Sequence, residues 1–387
     1  MKIALAILRT TLGVVGPSTV DNLAQGLQKL GAEVILLTAK TSAKPSYKKI
    51  HYAPFSWSLA KLPLCLIYFI KNVRRISKQV DIVQVYLPSP AFAFVGDIIS
   101  FKNRAPIIVV FESSLIENYR IIMPFFKQSP LFYLSRILIN NSLIGKFTKF
   151  SCCKYIVSSE YQKNQLLLLG YPEEKIGVTP NSIDINKYIR CDTTALRNKF
   201  GLSNKIIGYL GHFTHNKGAD LLIKAFKDIL EKIPNAKLVL AWSELSSGKR
   251  QVERKIKKER LEEKTIILGK VNTPKFLSAL DILVLPYRVT FATQLFPSTL
   301  LEAMSVGVPL ITTNIRPLDE IVEDGNTALV VPSGNPQKIA EAVINLLSDR
   351  ELREKMVINQ RKIARQKFSQ ENITKKYLEL YKKIKNG

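Results

Sequence analysis

Two polar side chains, Gln294 and Glu302, stand eight positions apart in "QLFPSTLLEAMSVG", separated by a Phe-Pro turn and a Ser-Thr pair. A loop running into a helix at that spacing can turn both toward one ligand. The carboxylate suits paired sugar hydroxyls, because it only accepts hydrogen bonds; the amide orients a ligand but neither attacks nor takes a proton. Ser298 is placed to cap a helix beginning at Thr299, and Gly307 to end it. The first-turn N–H groups would then suit a diphosphate, with Glu302 one turn in, on the side where ribose hydroxyls could be accepted. Taken alone, this helix reads better as one that merely carries a buried or surface glutamate.

A second stretch, "GYLGHFTHNKGADLLIKAF", puts Lys217 and Gly218 where a loop turns into a helix, with Asp220 in its first turn. Gly218 permits a tight turn and close backbone approach. Lys217 beside a helix terminus is a point charge for a phosphate, or simply a surface lysine. The spacing is not that of a P-loop.

The elements that must position these residues are legible as two successive α/β halves. "KIALAIL" reads as a buried strand, followed by a loop with Gly13, Gly16 and Pro17, a helix capped by Ser18 or Thr19 and ended by Gly31, and the strand "AEVILLTA". "DIVQVYL", "PIIVVFES" and "KYIVSSEYQKNQLLLLG" continue the series, and it restarts at "KIIGYLG", with a join near "NSIDINKYIRCDTT". The expected fold is α/β: two Rossmann-like doubly wound parallel-sheet domains facing across a cleft, where ligands bind at the strands' carboxyl ends. The expected domains are 1–184, 185–370 and a C-terminal helix, 371–387, packing back toward the first domain.

The chain has 387 residues, 46% apolar and 23% charged, with a formal net charge of +26, which favours anionic partners. Val34 to Val80 holds nine Lys or Arg and no acid, and Asn118 to Ser159 holds six and no acid. Both stretches are rich in aliphatic and aromatic residues, a composition that serves a membrane-surface patch or core helices with a solvated basic face. Nucleic acid is not an expected partner, since the basic residues are interleaved with aliphatics rather than set on an aromatic platform. Cys65, Cys152, Cys153 and Cys191 lack metal-ligand spacing, which suits a reducing compartment. No run reaches the about 18 uncharged residues of a spanning helix, and "MKIALAILR" is too short for a signal segment.

The two chemistry-bearing stretches together resemble the large retaining glycosyltransferase family 4, of the GT-B fold. "GHFTHNKG" is similar to the family's "GRLxxxKG", and "QLFPSTLLEAMSVGVPL" to its E-x7-E motif "EGFPxxLLEAMAxGxPV". "DILVLPY", "ITTN" and "EIVEDGNTALVVPSGNPQKIAEAV" extend the likeness over most of 151–350. "GAEVILLT" and "YIVSSEYQKNQL" through "KIGVTPNSID" carry it, more loosely, into the first half.

The resemblance implies that Lys217 binds the donor diphosphate next to Gly218, that Glu302 holds the ribose, and that the backbone from Phe296 through Pro297 and Ser298 to Thr299 meets the phosphates. It places the turn Gly269, Lys270, Val271 near the base and lets the Gly13 and Gly16 loop close over the diphosphate. It implies no cofactor and no obligatory metal. Three positions depart from the family pattern: His212 stands for an arginine, Glu112 for a histidine, and Gln294 for the first glutamate, which excludes a double displacement with residue 294 as nucleophile. The implied activity is retaining transfer of a hexose from a UDP- or GDP-sugar to an acceptor hydroxyl, with a saccharide or lipid-linked saccharide as acceptor. The implied place is the cytoplasm, peripherally on the cytosolic membrane face. The rivals are a nucleotide-sugar-binding protein with degenerate catalysis and a UDP-sugar epimerase of the same fold.

Overall fold

The computed structural model describes residues 1–8, 17–38, 48–51, 62–87, 93–100, 104–111, 154–201, 205–242, 248–289 and 296–386. These fall into two compact units. Residues before 183, with Phe296 and 370–386, form the first; 183–289 and 297–369 form the second.

The first unit runs β1 (Lys2–Ile7), α1 (Pro17–Lys29), β2 (Glu33–Thr38), β3 (Lys48–His51), α2 (Leu62–Ser77), β4 (Ile82–Leu87), α3 (Ala93–Ser100), β5 (Ile107–Phe111), β6 (Lys154–Val157), α4 (Glu160–Leu168) and β7 (Ile176–Val178). Its strands are parallel, in the order β3-β2-β1-β4-β5-β6-β7. Both sheet faces are covered, so β1 reads as a continuous apolar run. Ile3, Leu5 and Ile7 join one core, while Ala4 and Ala6 join the other. The α1 helix begins at Pro17, whose fixed φ suits a first turn, rather than after a cap at Ser18 or Thr19.

The second unit runs α5 (Thr194–Phe200), β8 (Lys205–Leu210), α6 (Ala219–Lys232), β9 (Ala236–Ala241), α7 (Lys249–Lys258), β10 (Thr265–Leu268), α8 (Thr273–Ala279), β11 (Ile282–Leu285), α9 (Ser298–Val306), β12 (Leu310–Thr313), β13 (Leu329–Val331), α10 (Pro336–Ser348) and α11 (Arg350–Phe368). Its parallel order, β10-β9-β8-β11-β12-β13, repeats that of the first unit: the first strand is central and the fourth lies beside it. The order in which strands are added reverses between β8 and β11, the switch point where doubly wound sheets take ligands. Leu222, Phe226 and Ile229 of α6 pack with Ile339, Val343 and Leu346 of α10 over β8, β9 and β11.

The last helix, α12 (Gln370–Asn386), belongs to the first unit. Its Ile373, Tyr377 and Tyr381 share a core with α1 and with Ile3 and Leu5 of β1. A buried polar chain fixes the register. The Tyr381 hydroxyl donates to Gln84 Oε1 at 2.6 Å, and Gln84 Nε2 donates to the Tyr86 hydroxyl at 2.7 Å. At the edge, Lys385 pairs with Asp81 at 2.8 Å, and that ammonium holds the Asp81 carboxyl below its ordinary range. Among the described residues no helix is long and apolar enough to cross a membrane.

Removing the Tyr381 hydroxyl leaves the buried Gln84 carbonyl without that donor. Tyr381→Phe should therefore cost about 1–3 kcal/mol in urea unfolding. A loss well below that range would show the polar chain to be dispensable.

Candidate active site

The site is built around the turn that follows β8. Residues His215–Lys217 form a single 3-10 turn, and Gly218 then takes a left-handed conformation at φ 71° before α6 begins. A β-carbon at Gly218 would lie 1.9 Å from the Pro286 carbonyl oxygen, just past the end of β11. No other residue fits there, since backbone cannot yield as a side chain can.

Arg288 fastens this turn to the β11 end. Its main-chain N–H donates to the Asn216 carbonyl at 2.9 Å, and its Nη1 to the His215 carbonyl at 2.8 Å. The guanidinium also grips the Asp220 carboxylate with both arms, at 2.7 and 2.6 Å. Burial alone would raise the Asp220 pKa; the guanidinium reverses this and leaves it below the ordinary carboxylate value. Asp220 is thus committed to Arg288, besides sitting in the first turn of α6.

Lys217 is half-buried, and its Nζ stands 4.5 Å from the centroid of the Tyr287 ring. An ammonium over an aromatic face gains some attraction, less than it loses with its water. Burial lowers its pKa to about 8. Among the described residues no carboxylate forms an ion pair with it. His212 is more exposed, with its carbonyl accepting from the Tyr209 hydroxyl at 2.7 Å. Desolvation on its protein side and the Lys217 charge both hold its imidazole below the ordinary histidine value. Both effects work against His212 acting as a second cation in place of an arginine.

Glu302 lies on α9, is only 8% exposed, and sits among Leu300, Leu301, Ala303 and Met304. Burial raises its carboxyl pKa, against a hydrogen bond from the Tyr188 hydroxyl and the charge of Lys187. Tyr188 is buried too, and its carbonyl accepts from Ser305 Oγ at 2.8 Å, so one tyrosine clips the loop 184–190 to α9 at two points. Tyr287 links the halves of the site: its ring underlies Lys217, and its hydroxyl lies near enough to Glu302 for that carboxylate to oppose its ionisation. The Tyr287 carbonyl is held by Thr313 Oγ1 at 2.6 Å and Ser333 Oγ at 3.1 Å.

The α9 helix differs from expectation at its start. It begins at Ser298 with Pro297 as the capping residue, and no side chain caps it. Pro297 already supplies the extended backbone of the cap position (φ −64°, ψ 120°), which draws Ser298 into the first turn. Pro297 is buried, while Ser298 and Thr299 remain half-buried. At the other end Gly307 adopts φ 77°, and Arg190 and Arg361 donate to the Gly307 and Val306 carbonyls at 3.3 and 2.7 Å. Two guanidiniums thus meet the negative end of α9.

The remaining expected residues are placed unevenly. Gly269, Lys270 and Val271 follow β10 on the carboxyl edge of the sheet, two strands from β8, with Gly269 and Lys270 exposed. Phe296 is buried and belongs to the first unit, where its carbonyl accepts from Asn181 Nδ2 at 3.3 Å. Gly13, Gly16, Glu112 and Gln294 lie outside the described residues. Tyr188, Tyr287 and Arg288 are site residues that spacing does not reveal. Among the described residues no three His, Cys, Asp or Glu side chains gather closely enough to hold a metal ion.

A doubly wound sheet that gathers an ammonium and a buried carboxylate at its switch point, in a chain with a second such sheet, defines a two-Rossmann α/β protein of the GT-B class. The family model for glycosyl transferases group 1 matches residues 192–363, and that for glycosyltransferase family 4 matches 17–187. The chain belongs to this family of glycosyltransferases. It is 28% identical to N-acetyl-alpha-D-glucosaminyl L-malate synthase of Bacillus anthracis, over 58% of this chain and 59% of that protein. It is likewise 28% identical to the capsular polysaccharide biosynthesis glycosyltransferase CapM of Staphylococcus aureus, over 59% and 58%. The matched segment spans about three fifths of the length of each relative. Among solved structures, HepE of Anabaena in complex with UDP aligns with a TM-score of 0.75 at 20% identity, covering 99% of this chain and 100% of that one. Sucrose-phosphate synthase of Thermosynechococcus elongatus aligns at 0.82 and 18%, covering 99% of each.

Gly218→Ala tests the turn. A methyl group there meets both the left-handed backbone and the Pro286 carbonyl, so the substitution should cost about 2–4 kcal/mol on thermal or denaturant unfolding. A neutral substitution would show that the turn and β11 are not pressed together.

Proposed function

We propose that this protein transfers a hexose from a nucleoside-diphosphate sugar to an acceptor hydroxyl, with retention of anomeric configuration. The observation that carries the reading is Lys217, an ammonium held half-buried over Tyr287 without a carboxylate partner among the described residues. A cation in that state is poised to gain on meeting a diphosphate. The UDP complex of HepE supports a uridine donor. Glu302 supplies the acceptor for ribose hydroxyls, and the N–H groups at the start of α9 face the phosphates.

In this mechanism the acceptor oxygen attacks the anomeric carbon on the face from which the diphosphate departs, and the departing phosphate takes the acceptor's proton. The anomeric C–O bond to phosphate breaks as the new glycosidic bond forms. Lys217 and the α9 N-terminus stabilise the charge gathering on the leaving oxygen. Gln294 orients the sugar as an amide and forms no covalent intermediate. The acceptor is a saccharide or lipid-linked saccharide, and the reaction belongs on the cytosolic side of a membrane.

Donor hydrolysis and transfer assays test this. Lys217→Ala should lower kcat/KM by about 100-fold or more, as loss of a charge-stabilising group does. Glu302→Gln should weaken donor binding about tenfold, by loss of one charge-assisted hydrogen bond. Normal turnover in a Lys217→Ala/Glu302→Ala double variant would sink the assignment. Tight donor binding without transfer to any acceptor would favour a binding protein, and donor conversion without an acceptor an epimerase.

The pH dependence follows from the Lys217 pKa of about 8 in the free protein. Below it the group is an ammonium that binds phosphate; above it a neutral amine that does not. Donor Kd should therefore rise as pH passes 8, approaching tenfold per unit, while Lys217→Met should be flat over the same range. The free protein responds with opposite sign. Folded-state depression of a lysine pKa is a penalty on the charged form, present below pH 8 and relieved as pH climbs toward the unfolded value. The stability gap between wild type and Lys217→Met should therefore move in the wild type's favour from pH 8 upward.

A further inference from the structure

Helix α2 of the first unit carries a surface that the transfer site does not use. Its inner face, Cys65, Phe69, Val73 and Ile76, is fully or nearly fully buried against the sheet. Its outer face exposes Leu64 at 52%, Ile67 at 61% and Tyr68 at 38%. Lys71, Arg75 and Lys78 continue the same stripe, all exposed. The spacing, i, i+3, i+4, i+7 and i+11, keeps the first five on one side of α2, and Lys78 follows in the turn just past its end. The stripe is apolar in its first half and basic in its second, and no acid occurs in the helix. Arg74, beside it, donates to the Ile98 carbonyl of α3, and Ile98 adds 42% exposed apolar surface at that edge.

The topology fixes how the stripe runs. Only four residues separate the end of α2 from β4, so the basic half lies by the amino edge of the sheet. Sixteen residues of helix extend about 24 Å. The apolar half therefore reaches the carboxyl edge, where doubly wound domains take their ligands.

We propose that this stripe docks the protein on an anionic lipid membrane. Leu64, Ile67 and Tyr68 enter the headgroup boundary, and Lys71, Arg75 and Lys78 meet lipid phosphates. A second copy of the chain fits less well, because three apolar side chains and Ile98 fall far short of the about 800 Å² per partner that stable association requires. Nucleic acid has no use for exposed Leu and Ile, and the stripe offers one aromatic ring for stacking. A membrane here would present a lipid-linked acceptor at the ligand edge of the first unit, and to that extent the inference rests on the proposed transfer.

Vesicle sedimentation of the full chain tests it, without nucleotide sugar, using phosphatidylcholine alone or with about a third phosphatidylglycerol. The protein should bind the anionic vesicles at low ionic strength and the neutral ones weakly. Each basic side chain near such a surface strengthens binding about fivefold, so Lys71→Gln/Arg75→Gln/Lys78→Gln should weaken it about 100-fold. Leu64→Ser/Ile67→Ser should abolish the binding that survives added salt. Both variants change exposed positions, and matching thermal unfolding confirms that they fold. Absence of binding to anionic vesicles, or variants that bind as the wild type does, would overturn the proposal. So would a dimer in solution that Leu64→Ser/Ile67→Ser dissolves while vesicle binding is unchanged, or duplex DNA binding that alone responds to the triple change. Donor hydrolysis in the absence of vesicles is the separate readout for the transfer reading: it should be unaltered in both variants, and its loss in the wild type would count against that reading and not against docking.

Discussion

The absence of one β-carbon organises the second domain. Because residue 218 is glycine, the turn after β8 lies directly against the carbonyl at the end of β11. That contact ties together the segments that follow the two parallel strands flanking the switch point. It sets Lys217 over the ring of Tyr287 and brings Asp220 within reach of both arms of Arg288. Packing, ion pair and ammonium are thus three results of one close approach. A side chain at 218 would displace the turn and with it the cation, which is why a backbone constraint governs a site whose chemistry is electrostatic.

The distribution of positive charge follows from the same economy. The chain carries a formal +26, yet the arginines around this site have structural duties. Arg288 neutralises Asp220 and holds the turn; Arg190 and Arg361 meet the carbonyl end of α9. Planar guanidiniums with fixed forks suit such fastening, and they do not lose their charge when partly buried. The ammonium is the softer group, and it is the one left over the ring. Its depressed pKa records a solvation deficit that a bound anion would make good.

Local pattern carries the fold a long way. Strands buried on both faces appear as unbroken apolar runs, and the repeat of strand, loop and helix gives both sheets their parallel character. Lys217, Gly218 and Glu302 are legible because each sits at a strand–loop–helix junction, where neighbours in sequence are neighbours in space. The partners that tune them are not. Arg288 meets Asp220 across 68 residues, and Tyr381 meets Gln84 across 297. Tyr188 reaches Glu302 from a loop in which nothing sets it apart as a site residue. The start of α9 is misread for a local reason: a proline can hold the cap conformation as well as a serine can, and the residue with the capping side chain is then already inside the helix.

The contrast between Gln294 and Glu302 now has a physical basis on the carboxylate side. Burying a carboxylate costs several kcal/mol unless hydrogen bonds compensate, and an amide at position 302 would avoid most of that cost. Burial outweighs what the Tyr188 hydroxyl and Lys187 return, so the net shift of Glu302 is upward. A group kept in that state gains from any ligand that brings further donors. Two neighbouring hydroxyls supply them, pull the pKa back down and stabilise the anion they bind. Lys217 stands in the complementary position, a cation short of solvation and awaiting an acceptor-rich ligand. On the proposed function, a nucleoside diphosphate, with a diol at one end and phosphates at the other, would relieve both deficits in one binding event.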